Sequence, residues 1–214
     1  MSEQKLESDT RGYLSERGPF QINENPEVAK PANESDITEE GAAAYFEHSE
    51  LAEKYGEKET REKLTEMLKA AVSGATTTVL LAQDSPNGMS LAHVWFGPNF
   101  ELFRHSHPKY GDSVYYILAG EITMGRKRLG PGSTLFVPNG QPYKYTAGPA
   151  GVEILEFRAG GGIEEAPGMC MNAPSLDAID KQIEGYKLNQ HLWQAPEHIG
   201  DVAYRQQDLN FEDA

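Results

Sequence analysis

The chain has 214 residues, which is enough for one well-packed domain with appendages. Hydrophobic residues make up 38% of it, below the roughly 45–50% of a typical globular chain, so we expect part of the chain to lie outside the core. The formal net charge of −14 repels phosphate groups, which argues against nucleic acid and anionic membranes as partners.

Three features of the sequence bear on its location. The first ten residues are polar and acidic and lack the apolar segment of a signal peptide. No stretch approaches the ~18 apolar residues that a membrane span needs. The single cysteine, Cys170, excludes an internal disulfide and is compatible with a reducing compartment. We therefore expect a cytoplasmic protein without membrane contacts.

The N-terminal third divides into an arm and a helical extension. Residues 1–36 are polar with isolated apolar side chains, which predicts a flexible arm. Residues 37–74 predict two helices, at 38–56 and 57–73. In the second, Leu64, Met67 and Leu68 repeat with the spacing of one helix face. We expect these helices to pack outside the domain that follows.

At residue 75 the sequence periodicity changes from helical to that of short strands. Segments rich in Val, Ile, Thr and aromatic residues occur at 76–81, 90–96, 114–118, 121–124, 134–137, 142–146 and 152–157. Turn residues separate them and no helical stretch intervenes, so 75–160 predicts an all-β sandwich or barrel. Residues 161–214 form an irregular C-terminal extension with a helical patch at 175–186.

The pair His105 and His107, separated by Ser106, is the main candidate for chemistry. Alternate residues of a strand point to the same face, so both imidazoles can face one ion. Neutral imidazole is a common ligand for transition metals. An isolated pair of this kind is a weak indication, so its surroundings decide its meaning.

Those surroundings resemble the two motifs of the cupin superfamily. Gly97, the histidine pair and Gly120 correspond to the first motif, and the Gly130-Pro131-Gly132 run to the second. The likeness covers about residues 76–159. It implies a cupin-type antiparallel β-barrel (jelly roll), a homodimer, and a divalent metal ion, with Fe favoured over Zn, Mn or Ni.

Two positions depart from the family pattern. Ser113 stands at the family's Glu position, and Tyr143 stands at the position of the second-motif His. A substitute ligand is then needed, either Asp112 through a bulge or Tyr143 as a phenolate, whose formation a bound cation favours. We therefore predict His105, His107, Tyr143 and Asp112 as the metal ligands. The missing carboxylate leaves the site more positive and favours an anionic or phenolic substrate.

Glu153 and Glu156 lie on opposite faces of the last predicted strand. One of them should point into the barrel, where a carboxylate can act as an acid or a base. We take Tyr143 and Glu156 as the candidate catalytic residues. The alternative places both carboxylates near the rim, solvated or paired with Arg158. For His93 we expect a structural role rather than a place in the pocket.

Three functions fit these residues, all with a small organic molecule as partner. The preferred one is a metal-dependent enzyme. Within this class an oxygenase is favoured, because that activity is frequent in the family. A second is a metal-free isomerase or cyclase that uses Tyr143 and Glu156 for proton transfer. The third is a non-catalytic barrel that binds a ligand.

Overall fold

The computed structural model describes residues 13–14, 21–24, 26–83, 88–160 and 168–205 of the chain. The strands in these residues are β1 (Tyr13–Leu14), β2 (Gln21–Ile22), β3 (Phe46–Glu47), β4 (Ala75–Ala82), β5 (Ser90–Phe96), β6 (His105–Ser106), β7 (Ser113–Met124), β8 (Lys127–Leu129), β9 (Thr134–Val137), β10 (Thr146–Arg158) and β11 (Met169–Met171). The α-helices are α1 (Glu39–Tyr45), α2 (Ser49–Tyr55), α3 (Glu57–Ala71) and α4 (Leu176–Asn189).

Six strands form one antiparallel sheet in the order β4-β5-β10-β7-β8, with β9 also paired to β7. A second sheet has the order β3-β11-β6, in which β11 is parallel to β3 and antiparallel to β6. Backbone bridges join His105 to Tyr143 and Glu101 to Thr146. The predicted antiparallel β architecture is therefore present. Strands β1 and β2 form a separate two-stranded sheet. The description all-β is too coarse, because α-helices accompany the two larger sheets.

Two predicted turns lie inside long strands. β7 continues through Gly120, and β10 continues through residues 148–149. Gly120 and Gly151 have φ angles of 69° and 83°, and a Cβ on Gly120 would collide with the carbonyl oxygen of Gly151. The register between the two strands shifts beside this contact. The glycines thus permit a bent, close crossing of two strands, and the hairpin itself lies farther along, between β7 and β8.

The predicted helix at 38–56 is two helices, because β3 separates α1 from α2. Phe46 of β3 is buried and pairs in parallel with Met169 of β11. This pairing with a distant strand overrides the local helical pattern. Thr38 begins α1 by accepting a hydrogen bond from Gly41 N at 3.1 Å.

Part of the predicted flexible arm is packed against the sheet and the C-terminal extension. Val28 is buried, and its N donates to Glu197 O at 3.3 Å. Ala29 N donates to Thr78 Oγ1 at 2.8 Å. Most of the earlier arm lies outside the described residues. The helical extension does more than pack outside the barrel, because several residues between 29 and 45 line the central cavity.

The C-terminal extension is also packed in its described part. Helix α4 lies against α3, where Lys63 Nζ and Asp180 Oδ1 are 2.6 Å apart. Beyond α4, Val202 is fully buried in a cluster with Trp95 and Ala119 of the main sheet. Among the described residues, no helix has the length and apolar character needed to cross a membrane.

Candidate metal and substrate site

A cavity of about 590 Å³ lies between the two sheets and the N-terminal extension. Four of the five predicted site residues line it, namely His105, His107, Tyr143 and Glu156. Its apolar wall is made by side chains of β4, β5, α3 and the segment before β6. Such a mixture of apolar wall and a few polar groups is typical of small-molecule sites.

The two histidines face each other through their Nε2 atoms, which are 3.0 Å apart. His105 Nδ1 lies 2.8 Å from Phe103 O, and His107 Nδ1 lies 3.0 Å from Gly168 O. A carbonyl oxygen only accepts hydrogen bonds, so each Nδ1 carries the ring proton and each Nε2 presents a lone pair. The structure thus holds two unprotonated nitrogens toward one point.

Two lone pairs at this distance repel each other unless a cation or a proton lies between them. Burial lowers the pKa of His105 to about 3 and that of His107 to about 4. The neighbouring imidazole of His107 lowers the pKa of His105 further. A proton is therefore not held there at neutral pH. Two nitrogens each about 2.1 Å from one ion, at a right angle, would be about 3.0 Å apart. The observed spacing fits a shared metal ion.

Tyr143 stands directly opposite His105, as its position in the second motif predicted. Their rings are 4.7 Å apart, and Tyr143 is buried. The Tyr143 hydroxyl lies 2.8 Å from the hydroxyl of Tyr115, so the two phenols satisfy each other. Burial raises the pKa of Tyr143 well above its ordinary value. In the described conformation Tyr143 is a neutral phenol beside the two histidines.

Glu156 points into the cavity and pairs with Arg158, at 2.5 Å between Glu156 Oε2 and Arg158 Nη2. Both side chains are buried, so the pairing with Arg158 that we considered as an alternative occurs inside the cavity and not at a solvated rim. The Arg158 guanidinium also lies over the ring of Tyr110, 4.4 Å from its centroid. The pair places one negative and one positive charge beside the histidines.

The structure does not bring Asp112 to the histidines. Asp112 is exposed, and its Oδ1 accepts a hydrogen bond from Asn139 N at 2.9 Å. The bulge that a ligand role required is absent at this point of β7, where Ser113 pairs in regular register with Arg158 and Val137. Across the described residues, no cluster of three or more His, Cys, Asp or Glu side chains has metal-site geometry. The expected four-ligand set is thus reduced to two imidazoles with Tyr143 nearby.

Glu153 and His93 have the structural role that we expected for the histidine. Glu153 faces the outer side of the sheet, away from Glu156, and is fully buried. Its Oε2 accepts from His93 Nε2 at 2.8 Å and from Gly200 N at 2.6 Å, and its Oε1 accepts from Val202 N at 2.8 Å. This carboxylate holds the C-terminal extension against the sheet.

Sequence reasoning missed the cavity residues Tyr45 and Tyr110. It expected Tyr145 only as barrel lining and Arg158 only as a partner of the carboxylates. Arg158 was detectable in principle, because it lies two residues from Glu156 on the same strand face. Tyr145 likewise lies two residues from Tyr143. Tyr45 carried no local signal, since only the tertiary position of α1 brings it to the cavity.

No protein-family model and no curated protein matches the chain. Similar solved structures include the DMSP lyase DddQ from Ruegeria pomeroyi DSS-3, with 25% identity over 47% of this chain and a TM-score of 0.39. The match spans about half, 53%, of the lyase chain.

Two further similar structures match this chain over a comparable length. The polyketide cyclase RemF from Streptomyces resistomycificus is 23% identical over 53% of this chain and 82% of its own, with a TM-score of 0.38. An RmlC-like cupin from Shewanella frigidimarina NCIMB 400 is 21% identical over 42% and 78%, with a TM-score of 0.33. At TM-scores below 0.5 these likenesses are partial, and the function has to follow from the chain's own site.

Proposed function

We propose that this cupin-type barrel is a metal-dependent enzyme that acts on a small anionic organic substrate. The facing Nε2 atoms of His105 and His107, at 3.0 Å in the wall of the cavity, carry the proposal. The two imidazoles would hold a divalent ion, with Fe favoured over Zn, Mn or Ni. When bound, such an ion polarises a substrate oxygen as a Lewis acid.

The charges of the site support an anionic or phenolic substrate. Glu156 and Arg158 balance each other, and both histidines are neutral. A divalent cation would then remain largely uncompensated by the protein. A substrate carboxylate or phenolate supplies the missing negative charge, whereas a cationic substrate would be repelled.

The cavity also supplies groups that move protons. Tyr143 and Tyr115 form a hydrogen-bonded pair in which either hydroxyl can donate, so a proton can pass along it. A cation nearby opposes the effect of burial and lets Tyr143 release its proton more readily. Glu156 is the second candidate acid–base residue, and its ion pair with Arg158 fixes the position of the carboxylate.

Proton transfer fits this set of residues better than oxygenation. The iron ligand set of many oxygenases has two histidines and one carboxylate. Within the described residues the nearby carboxylate, Glu156, is paired with Arg158, while the hydroxyls of Tyr115 and Tyr143 bind each other and either of them can donate a proton. We therefore place a lyase or isomerase reaction first. An oxygenase is second, because two imidazoles leave coordination positions open for substrate and O₂.

Elemental analysis of protein purified without a histidine tag tests the cofactor first. We expect stoichiometric metal in the wild type and none in His107→Ala. NMR in D₂O with a panel of small carboxylates then measures proton exchange at carbon, while an oxygen electrode measures O₂ uptake. Metal-dependent exchange supports the proposal, O₂ uptake selects the oxygenase, and turnover without metal selects the metal-free isomerase or cyclase. Ligand binding without any turnover would contradict an enzymatic role.

The homodimer and the cytoplasmic location remain predictions that come from the sequence. We propose that the chain self-associates, since sheet edges gain from pairing. Light scattering at micromolar concentration checks the dimer, and a monomeric mass would contradict it.

A further inference from the structure

Tyr145 lines the cavity and carries a buried polar atom that the protein does not satisfy. Its side chain lines the cavity and is 3% exposed, yet its hydroxyl has no hydrogen-bond partner among the described residues. Tyr143 and Tyr115 differ, because their hydroxyls bind each other. Buried polar groups in native proteins are nearly always paired, so an unpaired one within a cavity indicates a ligand or a water.

Arg158 leaves a second donor unpaired beside the same cavity. Its Nη2 binds Glu156, and its flat face lies over Tyr110, but its buried Nε has no partner among the described residues. Tyr145 and Arg158 both line this cavity. Guanidinium nitrogens only donate, so the group that satisfies Nε must be an acceptor.

Tyr45 faces the same group of residues from the N-terminal extension. It is 46% exposed, yet desolvation raises its pKa to about 12, and Tyr110, Arg158 and Glu156 act on it electrostatically. These observations agree if the exposed area of Tyr45 faces the cavity and not the outside. Tyr45 is indeed one of the residues that line the cavity. Helix α1 therefore adds a phenol to the site that the barrel itself does not contain.

We propose that Tyr145, Arg158 and Tyr45 form a second polar subsite that binds a neutral oxygen acceptor of the substrate, such as a hydroxyl or carbonyl. The inference rests on the proposed function, in which the substrate's anionic group lies at the histidines. A neutral acceptor fits because Glu156 already balances the charge of Arg158, so a second carboxylate would find no positive charge left to compensate it. The substrate is thus an organic acid with a second, uncharged oxygen group.

Calorimetric titration of the zinc-loaded protein with straight-chain carboxylates of graded length tests this subsite. Each length is compared in three forms: the plain acid such as hexanoate, its terminal hydroxyl derivative, and the diacid such as adipate. At the length that reaches from the histidines to the subsite, we expect the hydroxy acid to bind about tenfold more tightly than the plain acid, with the diacid weaker than the hydroxy acid. In Tyr145→Phe this preference should disappear.

Two controls make the result specific. Tyr116→Phe removes a hydroxyl from the outer face of the sheet and should leave the preference unchanged. Tyr145→Phe should fold as stably as the wild type, because the hydroxyl that it removes has no partner to lose. Equal affinities of plain and hydroxy acids at every length would overturn the subsite, as would a preference that survives in Tyr145→Phe.

The same titration separates this inference from the proposed function. Removal of the metal by a chelator should weaken all the acids alike, because the carboxylate loses its partner. If chelation leaves the affinities of the acids unchanged, the metal proposal fails. The preference for the hydroxy acid over the plain acid would still show whether Tyr145 binds the second oxygen. Tighter binding of the diacid than of the hydroxy acid would show that the subsite takes an anion and would overturn the neutral acceptor.

Discussion

Tyr143 and His105 form a cross-strand pair joined by two backbone hydrogen bonds. Tyr143 N donates to His105 O at 3.0 Å, and His105 N donates to Tyr143 O at 3.2 Å. Residues opposed in this way project their side chains to the same face. These backbone hydrogen bonds fix the phenol beside the imidazole independently of the polar side-chain atoms, which allows metal binding and proton transfer to be tested separately.

The histidines are expected to be necessary for metal retention. In His105→Ala or His107→Ala, one of the two facing nitrogens is lost, and no third His, Cys, Asp or Glu ligand among the described residues replaces it. We expect the metal content measured by elemental analysis to fall to background in both variants. His191→Ala, which removes an exposed histidine outside the cavity, is the control and should retain the wild-type content. Equal metal in wild type and His107→Ala would contradict the site.

Tyr143→Phe distinguishes a proton carrier from a ligand. Because the hydroxyl binds Tyr115, we expect the variant to retain its metal while proton exchange of the substrate falls by about 10²–10⁴-fold. Tyr115→Phe should give a smaller loss, since it removes only the partner of the phenol. Elemental analysis and exchange rates by NMR measure both effects. Loss of metal in Tyr143→Phe would show that the phenolate is a ligand, as the sequence also allowed.

The sequence predicted the parts of the site that depend on local periodicity. The common face of His105 and His107 follows from the twofold repeat of a strand, and Tyr143 was found from its motif position. Gly120, which lies between the predicted strands at 114–118 and 121–124, was misread as a turn. A glycine that bends a strand has the same local signature as one that closes a hairpin, and its partner Gly151 is distant in sequence. Tyr45 was not predictable, because its place depends on the pairing of β3 with β11.

Helix α1 depends on its N-terminal cap. The Thr38 side chain accepts from Gly41 N, and Ser175 caps α4 in the same way through Ala178 N. Replacement of either by Ala should cost about 1 kcal/mol of unfolding free energy. Hydrogen exchange should accelerate at Glu39–Tyr45 only in Thr38→Ala, with Ser175→Ala as the matched control. Equal exchange of α1 in both variants would indicate that the cap does not position Tyr45.

Alkaline pH is expected to destabilise the fold through its buried phenols. Burial raises the pKa of Tyr186 and Tyr145 well above the ordinary value, so these groups stay protonated in the folded state while unfolded tyrosine ionises near pH 10. The unfolded state then binds fewer protons, and the unfolding free energy falls by about 1.4 kcal/mol per pH unit for each group above that pH.

Urea unfolding between about pH 9 and about pH 11 measures the slope. Tyr186→Phe should make this pH dependence of the unfolding free energy shallower by the contribution of one tyrosine. The variant also loses the 2.7 Å hydrogen bond to Glu101 O, but that loss is the same at every pH and does not affect the slope. Tyr204→Phe removes an exposed phenol and should not change the slope. An unchanged slope in Tyr186→Phe would mean that this phenol ionises in the folded protein as it does in the unfolded chain.

The buried carboxylate of Glu153 should be the main anchor of the C-terminal extension. Three donors converge on its two oxygens: His93 Nε2, Gly200 N and Val202 N. In Glu153→Gln, the amide nitrogen must face one of these donors whichever way the side chain turns, so at least one hydrogen bond becomes a repulsion. We expect a loss of about 2–3 kcal/mol in unfolding free energy and faster amide exchange at Gly200 and Val202.

Glu121→Gln is the matched control for this substitution, since its partner Arg128 is 72% exposed and an ion pair so open to solvent contributes little to stability. Urea unfolding and hydrogen exchange on the two variants compare the effects directly. If Glu153→Gln were as stable as Glu121→Gln, the extension would be held by the apolar cluster around Val202 and Trp95 alone. Retained metal in Glu153→Gln would in turn show that the anchor on the outer face of the sheet acts independently of the histidine site.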